Sequence, residues 1–312
     1  MAGSPKTAYV FPGQGSQKIG MGKGLYDRYP MARKVFDQAD ATLGFPLSQL
    51  CFQGSEEELV KTVNVQPAIL VTSIACLRAT QEASNNSLPS PHFVAGHSLG
   101  EYTALVAANV LTVSDATILV RERGRLMYEA GLKNSGSMLA IIGLDEETVR
   151  NICLESETET SNINCPGQIV ISGATDALAE AGKSARIKSA RVIPLKVSGA
   201  FHSTLMEPIL AEFKNVLSNF VFLPPTVPVI SNTTAKPLTD VDSIKNELST
   251  QLRHCIQWQR SVEYMMYNEV NTFYEIGPGR VLSGLIKRIN PELQTLNISE
   301  VEDILKLVNQ RY

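Results

Sequence analysis

Phe93-Val94-Ala95-Gly96-His97-Ser98-Leu99-Gly100-Glu101 is the stretch that decides the fold. The run 93–95 reads as a strand, the next residues match G-x-S-x-G, and a helical pattern opens at residue 101. Strand, tight turn and helix together are what a nucleophile elbow requires. The two glycines permit the turn, and the N-terminus of the following helix brings backbone N–H groups to the place where an oxyanion would form. Ser98 is therefore the candidate nucleophile of an α/β protein, placed at the carboxyl end of a strand.

The rest of the chain keeps the same alternation. Strands are predicted at 8–11, 138–142, 169–172, 192–197, 227–231 and 272–276, and helices at 31–42, 67–83, 102–110, 114–130, 204–218 and 259–267. Two polar tracts, 84–91 and 155–162, read as surface loops. Between about 134 and 197 the rhythm changes to strand, helix (145–155), strand, helix (176–188), strand, which suits a small α/β unit inserted into a larger domain. At 312 residues the chain has room for two such domains on a prior of about 150 residues each.

Composition narrows the function. Hydrophobic residues make up 44% and charged residues 19%, enough for a substantial core. A net charge of −3, from 28 Lys and Arg against 31 Asp and Glu, gives no reason to expect a nucleic-acid partner. The five cysteines form no C-x-x-C pair and no H-E-x-x-H occurs, so neither a disulfide framework nor a metal site is expected. Residues 1–7 hold no apolar signal-type segment, and no run of about 18 uncharged apolar residues appears. No membrane partner and a cytoplasmic location are the expectation.

Ser98 needs a base, and the chain has four histidines, at 92, 97, 202 and 254. His97 neighbours the serine in the elbow and should point away from it, and His92 precedes the strand. His202 follows the strand 192–197, at the sheet end where α/β proteins place their chemistry, whereas His254 lies near a helix end. Position favours His202, with His254 as the alternative. In the helix after the N-cap candidate Ser114, Leu119, Leu126, Met127 and Ala130 form an inward stripe, and Arg123 falls on it. A guanidinium there is costly unless paired. It is a snorkelling side chain, a structural salt bridge, or a clamp for a substrate carboxylate, which the planar fork of arginine suits. The loop Phe11-Pro12-Gly13-Gln14-Gly15-Ser16-Gln17 fits neither nucleotide-binding glycine pattern, since position 18 is lysine. Its alternative role is a backbone loop beside the nucleophile.

With these residues assembled, the chain resembles the malonyl-CoA:acyl-carrier-protein transacylases of fatty-acid and polyketide synthesis, in their stand-alone bacterial form. The likeness rests on Phe11–Gln17, Gln66-Pro67-Ala68, Gly96–Glu101, Arg123-Gly124, Asn164-Cys165-Pro166-Gly167-Gln168, Gly199-Ala200-Phe201-His202-Ser203 and Glu275-Ile276-Gly277-Pro278-Gly279. The resemblance implies an α/β-hydrolase-like large domain (1–133 and 198–312) with an inserted ferredoxin-like small domain (134–197). It implies Ser98 as nucleophile and His202 as base, with the histidine oriented by a main-chain carbonyl that maps to Gln257. The N–H groups of Leu99 and Gln14 would form the oxyanion hole and Arg123 would grip the malonyl carboxylate, with Gln66 and Asn164 lining the site. Phe201 resembles the malonyl-selective form of its motif.

The activity so implied is ping-pong transfer of malonyl from malonyl-CoA to the phosphopantetheine thiol of acyl carrier protein, with both thioesters as substrates and no cofactor. Two basic groups are candidates for docking an acidic carrier: Lys183, Arg186, Lys188 and Arg191, and Lys287 with Arg288. A trans-acting acyl hydrolase of the same fold is the alternative, against which Arg123 weighs because related hydrolases often lack it. A non-catalytic carrier-binding scaffold would need none of Ser98, His202, Arg123 and Gln14.

Overall fold

The computed structural model describes residues 6–309; residues 1–5, part of the segment read above as lacking a signal-type stretch, lie outside them. Ten strands occur among the described residues: β1 (Lys6–Phe11), β2 (Phe93–Gly96), β3 (Gly136–Ile142), β4 (Glu159–Cys165), β5 (Gln168–Ala174), β6 (Arg191–Pro194), β7 (Val229–Ile230), β8 (Pro237–Leu238), β9 (Val270–Ile276) and β10 (Gln294–Ile298). They form two sheets, and the fold is α/β.

The larger sheet has the order β10-β9-β1-β2-β7-β8, parallel except for the edge strand β8. Its β1 and β2 are adjacent, with Phe11 opposite Gly96. Parallel pairing puts both carboxyl ends on one side, so the glycine loop after β1 and the elbow after β2 leave the sheet together. Helix Thr62–Ala83 is apolar and long enough to cross a membrane, but 83% of its most apolar window is buried here. It packs between Pro30–Leu43 and Val113–Lys133, and this burial within the protein accounts for its hydrophobicity.

The smaller sheet is antiparallel, in the order β4-β5-β3-β6, with helices Glu146–Ser156 and Thr175–Ile187 completing a β-α-β-β-α-β unit. Strand alternation splits β3 cleanly. Leu139 and Ile141 pack beneath the two helices, while Met138 and Ala140 join the core shared with the large sheet.

Several elements depart from the sequence reading. The tract 155–162, expected as a loop, ends one helix and begins β4. The polar residues of β4 are buried and not turned to water: Asn162 lines the site, Ser161 donates to the Val170 carbonyl, and Asn164 meets His97. The run 192–197 pairs only as far as Pro194, which has no N–H to continue the ladder. Thr112, and not Ser114, caps helix Val113–Lys133, accepting from the Asp115 N–H at 3.0 Å; Ser114 instead meets Gln38 and Thr42.

The elbow is built with no space to spare. A Cβ on Gly96 would lie 1.9 Å from the Gly100 carbonyl, and one on Gly100 would lie 2.1 Å from the Phe11 carbonyl oxygen. These neighbours are backbone and have nowhere to go, so Gly96→Ala is expected to prevent accumulation of folded protein. Gly284→Ala, in a helix with open space at that point, is expected to raise stability by about 1 kcal/mol. The soluble yield of Gly96→Ala and a thermal melt of Gly284→Ala beside the wild type check the two expectations.

Candidate active site

Between β2 and helix Gly100–Ala107 the chain turns through Ser98 in the left-handed conformation, φ 51°. Two amide side chains hold its peptide groups. Asn232 Oδ1 accepts from the Ser98 N–H at 2.7 Å, and Gln251 Nε2 donates to the Ser98 carbonyl at 3.1 Å. The turn presents Oγ to His202 Nε2 at 2.8 Å. His202 is itself left-handed, φ 58°, and is pinned by its own N–H to the Leu252 carbonyl.

The imidazole Nδ1–H donates to the Gln251 carbonyl at 2.9 Å. That bond fixes the tautomer and leaves Nε2 free to accept the Ser98 proton. The orienting carbonyl is therefore that of Gln251 and not of Gln257. Gln257 sits at the start of the next helix, where its N–H donates to the Asn232 carbonyl and its own carbonyl caps Ser261. Burial, with the nearby Arg123 charge next, pushes the His202 pKa down from 6.5 to about 3, so the base stands neutral.

None of the other histidines reaches the serine. The His97 ring meets Asn164 Oδ1 at 2.9 Å, His92 Nδ1 accepts from the Thr7 N–H, and His254 Nδ1 donates to the Thr250 carbonyl.

Arg123 is 1% exposed and lies directly beside the nucleophile. Its Nη1 donates to Gln66 Oε1 at 2.8 Å, and its Nη2 donates to Gln251 Oε1 at 2.9 Å and to Ser98 Oγ at 3.1 Å. The Nε–H has no acceptor among the described residues. No carboxylate contacts this guanidinium, so the structural ion pair held open by the sequence is absent among the described residues and a buried cation faces the cleft.

The cleft has a volume of about 380 Å³ and is lined by Ser98, His202, Arg123, Leu99 and Gln14, with an apolar wall that includes Met127 and Phe201. The backbone N–H groups of Leu99 and Gln14 make no hydrogen bond among the described residues, as oxyanion donors require. Gln66 and Asn164 were expected in the lining but stand one layer behind it. Gln66 backs Arg123, Asn164 backs His97, and Asn162 takes the lining position on β4.

None of Lys183, Arg186, Lys188, Arg191, Lys287 and Arg288 lines the cleft. Helix Thr175–Ile187 covers the face of the small sheet turned away from Met138 and the site, and Lys183 pairs there with Glu180. Arg288 is bound to Gln168 and the Pro166 carbonyl at the β4–β5 turn, and Lys287 to the Pro291 carbonyl. The exposed cation at the cleft is Lys196.

Three residues of this site were not singled out in the sequence for such roles: Glu101, Asn232 and Gln251. Glu101 had a visible signal, an acid in the first turn of the helix that follows the elbow. Asn232 and Gln251 are more than a hundred residues away from Ser98 along the chain, with no pattern to mark them.

The acyl transferase domain family matches residues 8–301. The chain belongs to this family. A Bacillus subtilis relative named malonyl CoA-acyl carrier protein transacylase is 46% identical over 305 residues, covering 96% of this chain and 95% of its own. A Staphylococcus aureus protein of the same name is 44% identical, covering 96% and 97%. Among solved structures, an acyl carrier protein S-malonyltransferase from Vibrio cholerae superposes with a TM-score of 0.93 at 39% identity, covering 97% and 99% of the two chains. A malonyl-transacylase in complex with a type II polyketide acyl carrier protein gives 0.94 at 39% identity, covering 98% and 99%.

In this acyl transferase the depressed His202 pKa makes a definite pH signature. Acylation by acetyl-CoA should hold its rate through pH 6.5, where an ordinary histidine would begin to fail. Arg123→Met removes a charge that holds the imidazole neutral, so its acid limb should move to higher pH. Stability runs with the same sign. The unfolded chain takes up the His202 proton as pH falls below 6.5 and the folded chain does not, so this contribution shrinks from there down to about pH 3. Rate–pH profiles of both proteins test the assignment.

Proposed function

We propose that this acyl transferase carries malonyl from malonyl-CoA to the phosphopantetheine thiol of acyl carrier protein through an ester on Ser98. The observation that carries the reading is the buried, carboxylate-free guanidinium of Arg123 at 3.1 Å from the nucleophile. An acyl group ending in a carboxylate would supply the partner that this cation lacks, and a neutral acyl group would not. The names of the relatives point the same way.

His202 Nε2 takes the proton from Ser98 Oγ as the oxygen attacks the thioester carbonyl. The developing oxyanion is received by the free N–H groups of Leu99 and Gln14. The C–S bond breaks, and the CoA thiolate leaves with the proton from His202. In the second half, His202 deprotonates the carrier's thiol, the sulfur attacks the malonyl ester, and Ser98 regains its proton. Arg123 holds the distal carboxylate, keeping the ester carbonyl in the oxyanion site between the two events. Side chains and backbone suffice for this chemistry without a cofactor. All five cysteines are free thiols, as the cytoplasm would leave them.

Phe201, 4% exposed and in the cleft wall, has little room to move. Even a Cβ on the adjacent Gly199 would lie 3.2 Å from its ring. The ring bounds the space beside the acyl α-carbon, so Phe201→Ala should raise the use of methylmalonyl-CoA relative to malonyl-CoA by about tenfold, since one methyl is worth about 1–3 kcal/mol in a pocket. Competition between the two thioesters measures this ratio.

The central test is intact-protein mass after brief mixing with malonyl-CoA, and again after adding holo carrier protein. A malonyl adduct on the wild type and none on Ser98→Ala, passed on to the carrier, is the expected result. Loss of the adduct to water with no malonyl-carrier formed would make the protein a hydrolase. No adduct with any acyl-CoA would leave only a binding role.

A further inference from the structure

No step of the transfer uses Glu101, yet its carboxylate is fully buried at the base of the elbow. Its Oε1 accepts from the Asn232 backbone N–H at 2.8 Å and from Asn232 Nδ2 at 3.1 Å, and its Oε2 accepts from Gln251 Nε2 at 2.5 Å. These are the two amides that hold the Ser98 peptide groups, and Gln251 also receives Arg123. We propose that Glu101 is a positioning residue that aims Arg123 at the acyl carboxylate by fixing which way the Gln251 amide faces.

Donor and acceptor parity decides which way the Gln251 amide faces. With Glu101 accepting, Gln251 turns its NH₂ toward Glu101 and the Ser98 carbonyl, and turns its oxygen toward Arg123 Nη2. Every partner is then matched. Glutamine at position 101 has nearly the same shape but one end of the wrong kind. Its oxygen is claimed by the two Asn232 donors, so its NH₂ would meet the NH₂ of Gln251. Gln251 could relieve that clash only by rotating, which would turn its NH₂ against the guanidinium and withdraw the donor from the Ser98 carbonyl. Either arrangement leaves a buried donor facing a donor, a situation that buried polar networks do not tolerate. Burial, and the neighbouring Glu247 next, raise the Glu101 pKa, but both its oxygens already accept from N–H donors and no acceptor is offered to a carboxyl proton, so the geometry is that of a carboxylate.

Glu247 is the natural control. It too is a buried carboxylate, but its side chain hydrogen-bonds Ser231 and Thr233 and makes no hydrogen bond to the Gln251 amide or to Arg123.

This inference rests on the reading of Arg123 as the carboxylate grip, so the wild-type preference for malonyl-CoA over acetyl-CoA in acylating Ser98 is measured first. Absence of that preference would remove the grip itself, and this proposal with it. Given the preference, Glu101→Gln is expected to lower the malonyl-to-acetyl ratio at least tenfold. Glu247→Gln should lose thermal stability and keep the ratio within twofold. Should Glu101→Gln not fold, Glu101→Asp, whose carboxylate is drawn back by one methylene, is expected to lower the ratio in the same direction. A folded Glu101 variant that loses stability while keeping the wild-type ratio would overturn the proposal, because a purely structural carboxylate would slow both acyl groups alike. In Gln251→Met the amide is gone, so adding Glu101→Gln should leave the ratio where Gln251→Met alone puts it. A further drop in the double variant would also overturn the proposal.

Discussion

A serine held at φ 51° is the constraint around which this molecule is organised. A left-handed turn at a residue other than glycine costs about 1–3 kcal/mol and survives only where its surroundings over-determine it. Here they do so from three directions. The β1 carbonyl at Phe11 holds the His97 N–H, Asn232 holds the Ser98 N–H, and Gln251 holds the Ser98 carbonyl. The contacts come from the first strand and from the last third of the chain. Until the large sheet has closed, the nucleophile does not exist as such.

The same economy of partners governs charge. Arg123 is buried without a carboxylate against it, and the amides of Gln66 and Gln251 carry its solvation instead. Amide oxygens satisfy a guanidinium without neutralising it, so the cation keeps its attraction for an incoming anion. A carboxylate in the place of Gln251 would have made a stabler resting site and a poorer binder. The histidine is treated alike. A main-chain carbonyl orients it where other serine enzymes use an aspartate, and beside a buried cation it stays unprotonated.

Local pattern carried most of what was legible in the sequence. The elbow and its helix could be read because glycine spacing and strand-to-helix succession are short-range signals, and Arg123 because it broke the apolar stripe of its own helix. What escaped was long-range or polar. The start of β4 reads as a loop because Glu159, Thr160, Ser161 and Asn162 lack the apolar alternation of a strand, and only their partners in the fold, the site among them for Asn162, explain them. The resemblance maps the orienting carbonyl to Gln257, six residues from its actual source in Gln251, because every residue has a carbonyl and no side-chain motif marks the one that points inward. The basic residues of 183–191 follow the same rule in reverse. Their charge is plain in the sequence, but the side of the small sheet to which it belongs is decided by which residues of β3 face which core.

The small sheet is also joined to the catalytic half by main chain. The Ile163 N–H donates to the Ile256 carbonyl, and the Ile256 N–H donates to the Ser161 carbonyl. Two backbone bonds of this kind, flanked by Arg260 on Glu146, extend an edge strand of the insertion into the loop that precedes helix Trp258–Tyr267. The middle of the outer edge of β4 is therefore already taken by this chain's own backbone. The Ile163 and Ile256 amides at this junction exchange with solvent only when it opens, so their protection reports the docking of the insertion on the catalytic half.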